Sequence, residues 1–483
     1  MNIGFWLDYD YTYLFTKVFS AIKEKHPSSS ASGFVVNDRY YSHARAELPH
    51  GSGLLSLYDI VARGRNYKYT EGEYAEFRRF DEKHHLSRVA YSDRIIHKFD
   101  YHELIALYVY LIKEFRQYLK EERPEVFVFN CVASQLAHLC YLILREEKVR
   151  VVIPFHFGVE DLFYLADNPY FECPDIVATF DDLRTNRRFV GSEEEAWARG
   201  FLRHVRALEP AYENAAISLE RNRFAVPRPT AVARYLYNYA VFYRNDPNQP
   251  TLWGKISSLV KFRIREHKAS KLFVSWNEAS RSEFVYFPLH FEPEIVTLIF
   301  AQYDQTSVID LVARQLPLSC RLVVKEHPAM IGQRPYGFYE RIAARYPNVV
   351  FVEPSLNSMM LVKQSKAVLT LSGTVILEAL ILGKPVIFTS KARFGGFGLG
   401  TFTQEFLNFG RVLTQASEQV ASEGELIAML AAIRRHSYRL QFAEPLGTPQ
   451  VLHEKNVAAL ADAILEYVTV SEHKPQPQAM SSS

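Results

Sequence analysis

The chain predicts an α/β protein made of two Rossmann-like halves that face a cleft, followed by C-terminal helices. Three observations carry this. Between Ser282 and Gly400, short apolar runs rich in β-formers alternate with helical segments, the pattern of a doubly wound parallel sheet. The same strand–helix–strand pattern recurs earlier, from Val126 to Pro154. The unusual polar residues fall where the apolar runs stop, and sheets of this kind bind ligands outside the carboxyl ends of their strands.

In chain order, Ile3–Asp8 predicts a first strand that empties into Asp8, Tyr9 and Asp10, with a helix over Tyr11–Lys25. Pro27–Gly33 reads as a serine-rich turn. Tyr40–Lys98 is polar, aromatic and weakly periodic, and predicts no architecture. Tyr101–Glu122 spaces Leu104, Tyr108, Leu111 and Phe115 as a long amphipathic helix, which Pro124 ends. Val126–Asn130 is a strand, Ala133–Glu147 a helix, and Val149–Pro154 the next strand, which leads to His156, Gly158, Glu160 and Asp161. From Asn214 to Lys271 the chain turns basic and helical. Trp253–Lys271 carries Lys255, Lys261, Arg263, Arg265, Lys268 and Lys271 against the single acid Glu266, which fits either a solvated helix or one resting on an anionic membrane.

The second half follows with strands at Phe284–His290, Arg321–Lys325, Val349–Val352, Ala367–Leu371 and Pro385–Phe388. Helices are expected near Thr306–Gln315, Tyr336–Arg345 and Ser358–Ser365, then from Ser372-Gly373-Thr374 to Gly383. Helical stretches at Glu423–Arg435 and Val451–Val468 precede a polar tail. The expected division is residues 1–213, an N-terminal acceptor-binding half; 214–275, a basic helical linker; 276–410, the nucleotide-binding half; 411–472, C-terminal helices; and 473–483, a disordered tail.

The totals narrow the function. A formal charge of +2 over 483 residues offers no global field for nucleic acid. The four cysteines are far apart, without CxxC or metal-ligand spacing, and predict buried thiols in a reducing compartment and no metal site. Met1–Asp8 lacks the regions of a signal peptide, and no apolar run approaches the roughly 20 residues that span a bilayer, so a cytoplasmic protein is expected.

Several strand-end residues suit nucleotide chemistry. Ser372-Gly373-Thr374 lies where a strand stops and a helix starts, so free N–H groups and the helix dipole favour a phosphate, unless the turn is an ordinary N-cap. Glu378, in the helix that follows, is placed either to accept ribose hydroxyls or to face solvent. His327, after a buried strand and before Pro328, can donate to a phosphate or assist a departing nucleotide, although a lone histidine is also a common structural residue. Lys325 shares its sheet face, or pairs with Glu326. The proton acceptor for an incoming hydroxyl is expected from the N-terminal half. Asp8, Asp10, His156, Glu160 and Asp161 are the candidates there, with Glu160 and Asp161 favoured.

Phe284–Glu294 (FVYFPLHFEPE), Val323–Pro328 (VVKEHP), Ser372–Val386 (SGTVILEALILGKPV) and Phe394–Thr401 (FGGFGLGT) resemble the bacterial capsule polysaccharide synthesis family, which includes the β-Kdo transferases that use CMP-Kdo. In the N-terminal half, PEVFVFN and Gly158–Pro169 are similar to looser family patterns. The resemblance implies a metal-independent GT-B glycosyltransferase with no cofactor, only a nucleotide-sugar donor. It places Glu294 and the His-Pro pair in the active site, with Glu378 on the ribose. It also implies a lipid-linked or polysaccharide acceptor, contact with the inner membrane and with capsule assembly proteins, and no nucleic acid. Glu292-Pro293-Glu294 stands where known Kdo transferases have Gln-Pro-Glu, which leaves the donor open. Rival readings are a polyol-phosphate transferase, a nucleotide-sugar 2-epimerase, and a non-catalytic subunit of a capsule assembly complex.

Overall fold

The computed structural model describes residues 1–93, 99–186, 189–211, 229–243, 252–291, 299, 301 and 303–471. The N-terminal sheet is built from β1 (Asn2–Leu7), β2 (Ser30–Val35), β3 (Leu54–Ser56), β4 (Val126–Val128), β5 (Arg150–His156) and β6 (Leu162–Ala166). The C-terminal sheet is built from β7 (Glu283–Pro288), β8 (Cys320–Lys325), β9 (Val349–Val352), β10 (Ala367–Thr370), β11 (Val386–Phe388) and β12 (Thr401–Phe402). A last short strand, β13 (Tyr438–Arg439), returns to the N-terminal sheet beside β6. The orders are β13-β6-β5-β4-β1-β2-β3 and β12-β11-β10-β7-β8-β9.

The C-terminal sheet is parallel throughout, and its central strands are buried along nearly their whole length. That is why they read as unbroken apolar runs. In the N-terminal sheet β3 to β5 are parallel, while β6 and β13 are antiparallel additions. Both sheets share one topological device. From β1 the chain builds outward through β2 and β3, then returns to place β4 on β1's other flank. From β7 it builds through β8 and β9, then places β10 on the other flank. Each reversal opens a crevice at the strand ends, where doubly wound sheets take their ligands.

Two sequence expectations change. Pro27–Gly33 is not simply a turn, because Ser30–Val35 forms β2 in register with both β1 and β3. Its small residues are what the site requires: a Cβ on Gly33 would sit 2.8 Å from the Leu7 side chain, and the buried Ser32 hydroxyl accepts from Tyr118 at 2.6 Å. Tyr40–Lys98 holds β3 and the helices Leu57–Gly64, Glu71–His84 and Leu86–Tyr91, packed with the long helix Tyr101–Glu122 in one cluster, while helix Asp38–Glu47 packs in another with helix Tyr11–Lys25.

The helices after Gly400 are divided between the halves. Glu423–Arg435 is almost wholly buried in a cluster that joins Pro174–Thr185 and Ser192–Arg206 to side chains of the C-terminal sheet. Glu454–Ser471 packs on helix Tyr11–Lys25 beneath β1. The chain therefore crosses back and ties both sheets together.

Candidate functional site

Strand register sets the C-terminal edge. β7 runs in register with β8 as far as Pro288 opposite Lys325, and Leu289 N–H continues to Lys325 O at 2.8 Å. β10 lies on the other flank of β7. The residues just past β7, β8 and β10 are His290, Glu326-His327 and Ser372-Gly373-Thr374, so one edge collects them all.

The two neighbours in Glu326-His327 have opposite fates. Glu326 is 1% exposed, and a carboxylate that deep requires compensation. Arg334 supplies it through a fork, Nε to Oε2 at 2.8 Å and Nη2 to Oε1 at 3.0 Å, and Tyr339 Oη donates at 2.6 Å. The His327 backbone N–H donates to the same carboxylate at 2.7 Å, which fixes the start of the loop. Alternation along the chain then turns the His327 side chain out, where it is exposed. Arg334 also donates to His290 O at 2.8 Å, locking the ends of β7 and β8 together.

His290 is a neutral fixture. Burial holds its pKa down at about 4, with the His327, Arg393 and Arg334 charges adding to this. Its Nε2 lies 3.0 Å from Thr370 Oγ1, whose proton goes to Ser372 O at 2.8 Å, so the His290 Nε2–H is the donor. The ring also backs the phosphate-type turn. Gly373 has φ of +111°, and a Cβ there would meet His290 Cε1 at 3.1 Å. Thr374 is the N-cap of helix Val375–Ile381 but makes no side-chain cap, so an ordinary capping role is not what the turn performs.

Behind the turn lies a pair pushed towards neutrality. Burial raises Glu378 to about 7, against the pull of Lys325. Burial also lowers Lys325, against the pull of Glu378. Lys325 Nζ donates to Ser358 Oγ at 2.8 Å. The alternative pairing of Lys325 with Glu326 does not occur, since strand alternation puts them on opposite faces and Arg334 occupies Glu326. Burial disfavours the charged form of each while their mutual attraction opposes it, a balance found in groups that bind or move protons.

Across from this edge the N-terminal residues are more fully engaged. His156 accepts from Gly158 N–H at Nδ1 (3.2 Å) and donates from Nε2 to Glu160 O (2.9 Å), with burial holding it down at about 4. Arg439 on β13 binds Glu160 at 3.0 Å and Asp161 at 2.6 Å, and Trp197 Nε1 donates to Glu160 at 3.1 Å. Glu160 and Asp161, the favoured proton acceptors of the sequence reading, are both held by Arg439, and Glu160 also ties helix Ser192–Arg206 to the loop through Trp197. Asp8 flanks the N-terminal reversal beside Asn130, whose Nδ2 donates to it at 3.3 Å. Asp10 accepts from the Leu446 N–H at 3.3 Å.

The halves meet at this place. A Cβ on Gly158, where φ is +82°, would lie 2.5 Å from Thr374 Cγ2, so only glycine lets the two loops touch. The Arg393 guanidinium stacks over Phe155 and Phe171 of the N-terminal half, at 4.8 and 5.2 Å, and depresses both His156 and His290. The edge of β5 therefore faces the edges of β10 and β11.

Glu294, with Glu292 and Pro293, lies outside the described residues. Sequence reasoning missed Arg334, Arg393 and Arg439, whose partners come from elsewhere in the chain. His290 was visible in the FPLH run but carried no distinguishing signal. Among the described residues no group of three His, Cys, Asp or Glu side chains could hold a metal ion.

Residues 237–434 fit a sequence model of the family described as "Capsule polysaccharide biosynthesis protein", so the capsule polysaccharide synthesis signature read from the motifs stands over the C-terminal sheet. Among solved structures, the β-Kdo 2,7 transferase KpsC of Thermosulfurimonas dismutans is similar at 12% identity, over 74% of this chain and 89% of that one, with a TM-score of 0.36. The β-Kdo 2,4 transferase of the same organism is similar at 15%, over 64% and 80%, with a TM-score of 0.35. A Neisseria meningitidis UDP-GlcNAc 2-epimerase bound to UDP-GlcNAc is similar at 12%, over 90% and 98%, with a TM-score of 0.27. Scores this low carry no weight for function. No curated protein matches the chain.

Proposed function

We propose that the chain is a glycosyltransferase of capsule or other surface polysaccharide synthesis. In this reading it moves Kdo or a related acidic sugar from a CMP-linked donor to a polysaccharide or glycolipid acceptor. The observation that carries it is the convergence at one strand edge of the exposed His327, the Gly373 turn and the Lys325–Glu378 pair, inside the region that fits the capsule family.

The roles follow from the chemistry of each group. The turn at Ser372-Gly373-Thr374 receives the donor phosphate, close to the chain because Gly373 has no side chain. His327 donates to the phosphate oxygens and steadies the charge that builds as the sugar–phosphate bond breaks. Glu378, once ionised beside Lys325, accepts the ribose hydroxyls. Asp8 at the facing reversal takes the proton of the attacking acceptor hydroxyl. Closure of the halves excludes water that would hydrolyse the donor. Glu294 belongs to the same donor site in this proposal, and no metal or other cofactor is required by it.

Thermal-shift binding of CMP, CDP and UDP to wild type and His327→Ala tests the reading. A ligand that binds only the folded state stabilises it by about 2.7 kcal/mol at a hundredfold excess over Kd. CMP is expected to raise the melting temperature of wild type, with the rise largely lost in the variant. A preference for UDP would overturn the CMP-sugar assignment in favour of the epimerase chemistry. Silence with all three nucleotides would leave the non-catalytic reading in its place.

A further inference from the structure

Helix Leu252–Ser270 has two faces of different character. The inner face docks onto the loop before Tyr336. Phe262 packs where a Cβ on Gly332 would lie 2.7 Å from its ring, Arg265 donates to Arg334 O at 3.0 Å, and Ala269 is buried. The outer face carries Trp253, Val260 and Ile264, which are 78%, 57% and 50% exposed. Their spacing puts all three on one stripe of the helix. Lys261 and Lys268 lie along one flank of that stripe and Arg263 along the other, all exposed. Glu266 is turned away from it and reaches Arg263 at 3.7 Å. The preceding helix, Pro229–Asn238, exposes Leu236 and Tyr237, and the Tyr239 hydroxyl just beyond accepts from the Leu252 N–H at 3.0 Å.

A water-exposed row of Trp, Val and Ile is costly unless something covers it. We infer that this face rests on the surface of an anionic lipid bilayer, with Trp253, Val260 and Ile264 in the interface and Lys261, Arg263 and Lys268 against the headgroups. Charge complementarity selects this occupant. A second copy of the chain, docked through the same patch, would bring cations against cations without an acid on the stripe to receive them. An anionic surface supplies the missing charge, and an indole is at home at the boundary between apolar and wet. The helix lies on the membrane and does not cross it, since no helix among the described residues is long and apolar enough to span one. Its inner face holds the backbone of Arg334, the residue that clamps Glu326 ahead of His327, so docking would also orient the candidate donor edge relative to the lipid. This inference stands on the helix alone and does not depend on the transferase reading.

The test is co-sedimentation of the full chain with vesicles of phosphatidylcholine, with and without phosphatidylglycerol, at low and high salt. Wild type should sediment only with phosphatidylglycerol, and release at high salt. Val260→Glu with Ile264→Glu should abolish binding, while Lys261→Gln and Lys268→Gln should each weaken it roughly fivefold. The glutamine variants keep the test decisive if the glutamate pair fails to fold, and nucleotide-induced melting shifts should be unchanged in them. Absence of sedimentation, equal binding to neutral vesicles, or full binding by the variants would overturn the inference. So would a wild-type dimer that Ile264→Glu splits without any lipid binding.

Discussion

The two sheets reverse direction in the same way, yet their reversal points are furnished differently. At the C-terminal reversal, between β7 and β10, buried residues hold the scaffold: Arg334, Glu326, Tyr339 and a neutral His290. The groups they frame are either exposed, as His327 is, or paired close to neutrality, as Lys325 and Glu378 are. At the N-terminal edge the polar groups beyond β5 are spent on each other, His156 on its own loop and Glu160 and Asp161 on Arg439. A titratable residue at a strand's carboxyl end is thus no guide to chemistry by itself. Burial and the partners that tertiary packing brings together set what each such residue is able to do.

The sharpest way to break this comparison is at the brace. Arg334→Met leaves the Glu326 carboxylate buried without its counter-charge, and a loss of about 3–5 kcal/mol in urea unfolding is expected. A loss below about 1 kcal/mol would remove the scaffold role. The next effect is a pH dependence. Burial raises Glu378 from its ordinary 4.5 to about 7, so the folded state holds a proton that the unfolded state releases. Stability from this group is complete below about pH 4.5 and falls as pH rises through 7, by on the order of 2–3 kcal/mol. Glu378→Gln should flatten that part of the profile, and unfolding free energies of both proteins at pH 5 and 8 will show it. With Glu378 accepting ribose hydroxyls as proposed, binding of a ribonucleotide should tighten over the same range.

Gly373→Ala should cost roughly 1–2 kcal/mol, because the positive φ opposes a side chain and the new methyl meets His290. It should also weaken nucleotide binding; an unchanged nucleotide-induced melting shift would separate the turn from the phosphate. Arg439→Ala removes a partly exposed double ion pair and should lower stability by about 1 kcal/mol or less. If Glu160 or Asp161 were the proton acceptor, freeing them in this variant would alter the pH profile of turnover, and no such change is expected. His327→Ala should move stability least, within about 0.5 kcal/mol, since its side chain is exposed. Its effect belongs on ligand binding, the inverse of Arg334→Met.

Much of the C-terminal sheet was legible because parallel strands buried on both faces must be apolar along their length, and Val323–Val324 or Ala367–Leu369 can hardly be anything else. The N-terminal sheet was less so. β2 is written in serine, alanine and glycine, and reads as a turn until Tyr118 and Leu7 are packed against it. β13 is two residues long and has no local signal.

The candidate site divides along the same line. Composition and pattern alone determined the two doubly wound halves and the strand ends at which the Ser-Gly-Thr turn and the His-Pro pair lie. These follow from local rules of burial and backbone freedom, which a short window of residues contains. Only the tertiary structure decided which polar groups are braces and which are poised. Arg334 meets Glu326 across a loop, Arg439 meets Glu160 and Asp161 from the far end of the chain, and Arg393 reaches both histidines from one side of the interface. Charge compensation is a property of distance in space: Arg439 lies far along the chain from its partners, and even Glu326 and Arg334, eight residues apart, give no sign in the sequence that the loop folds them together.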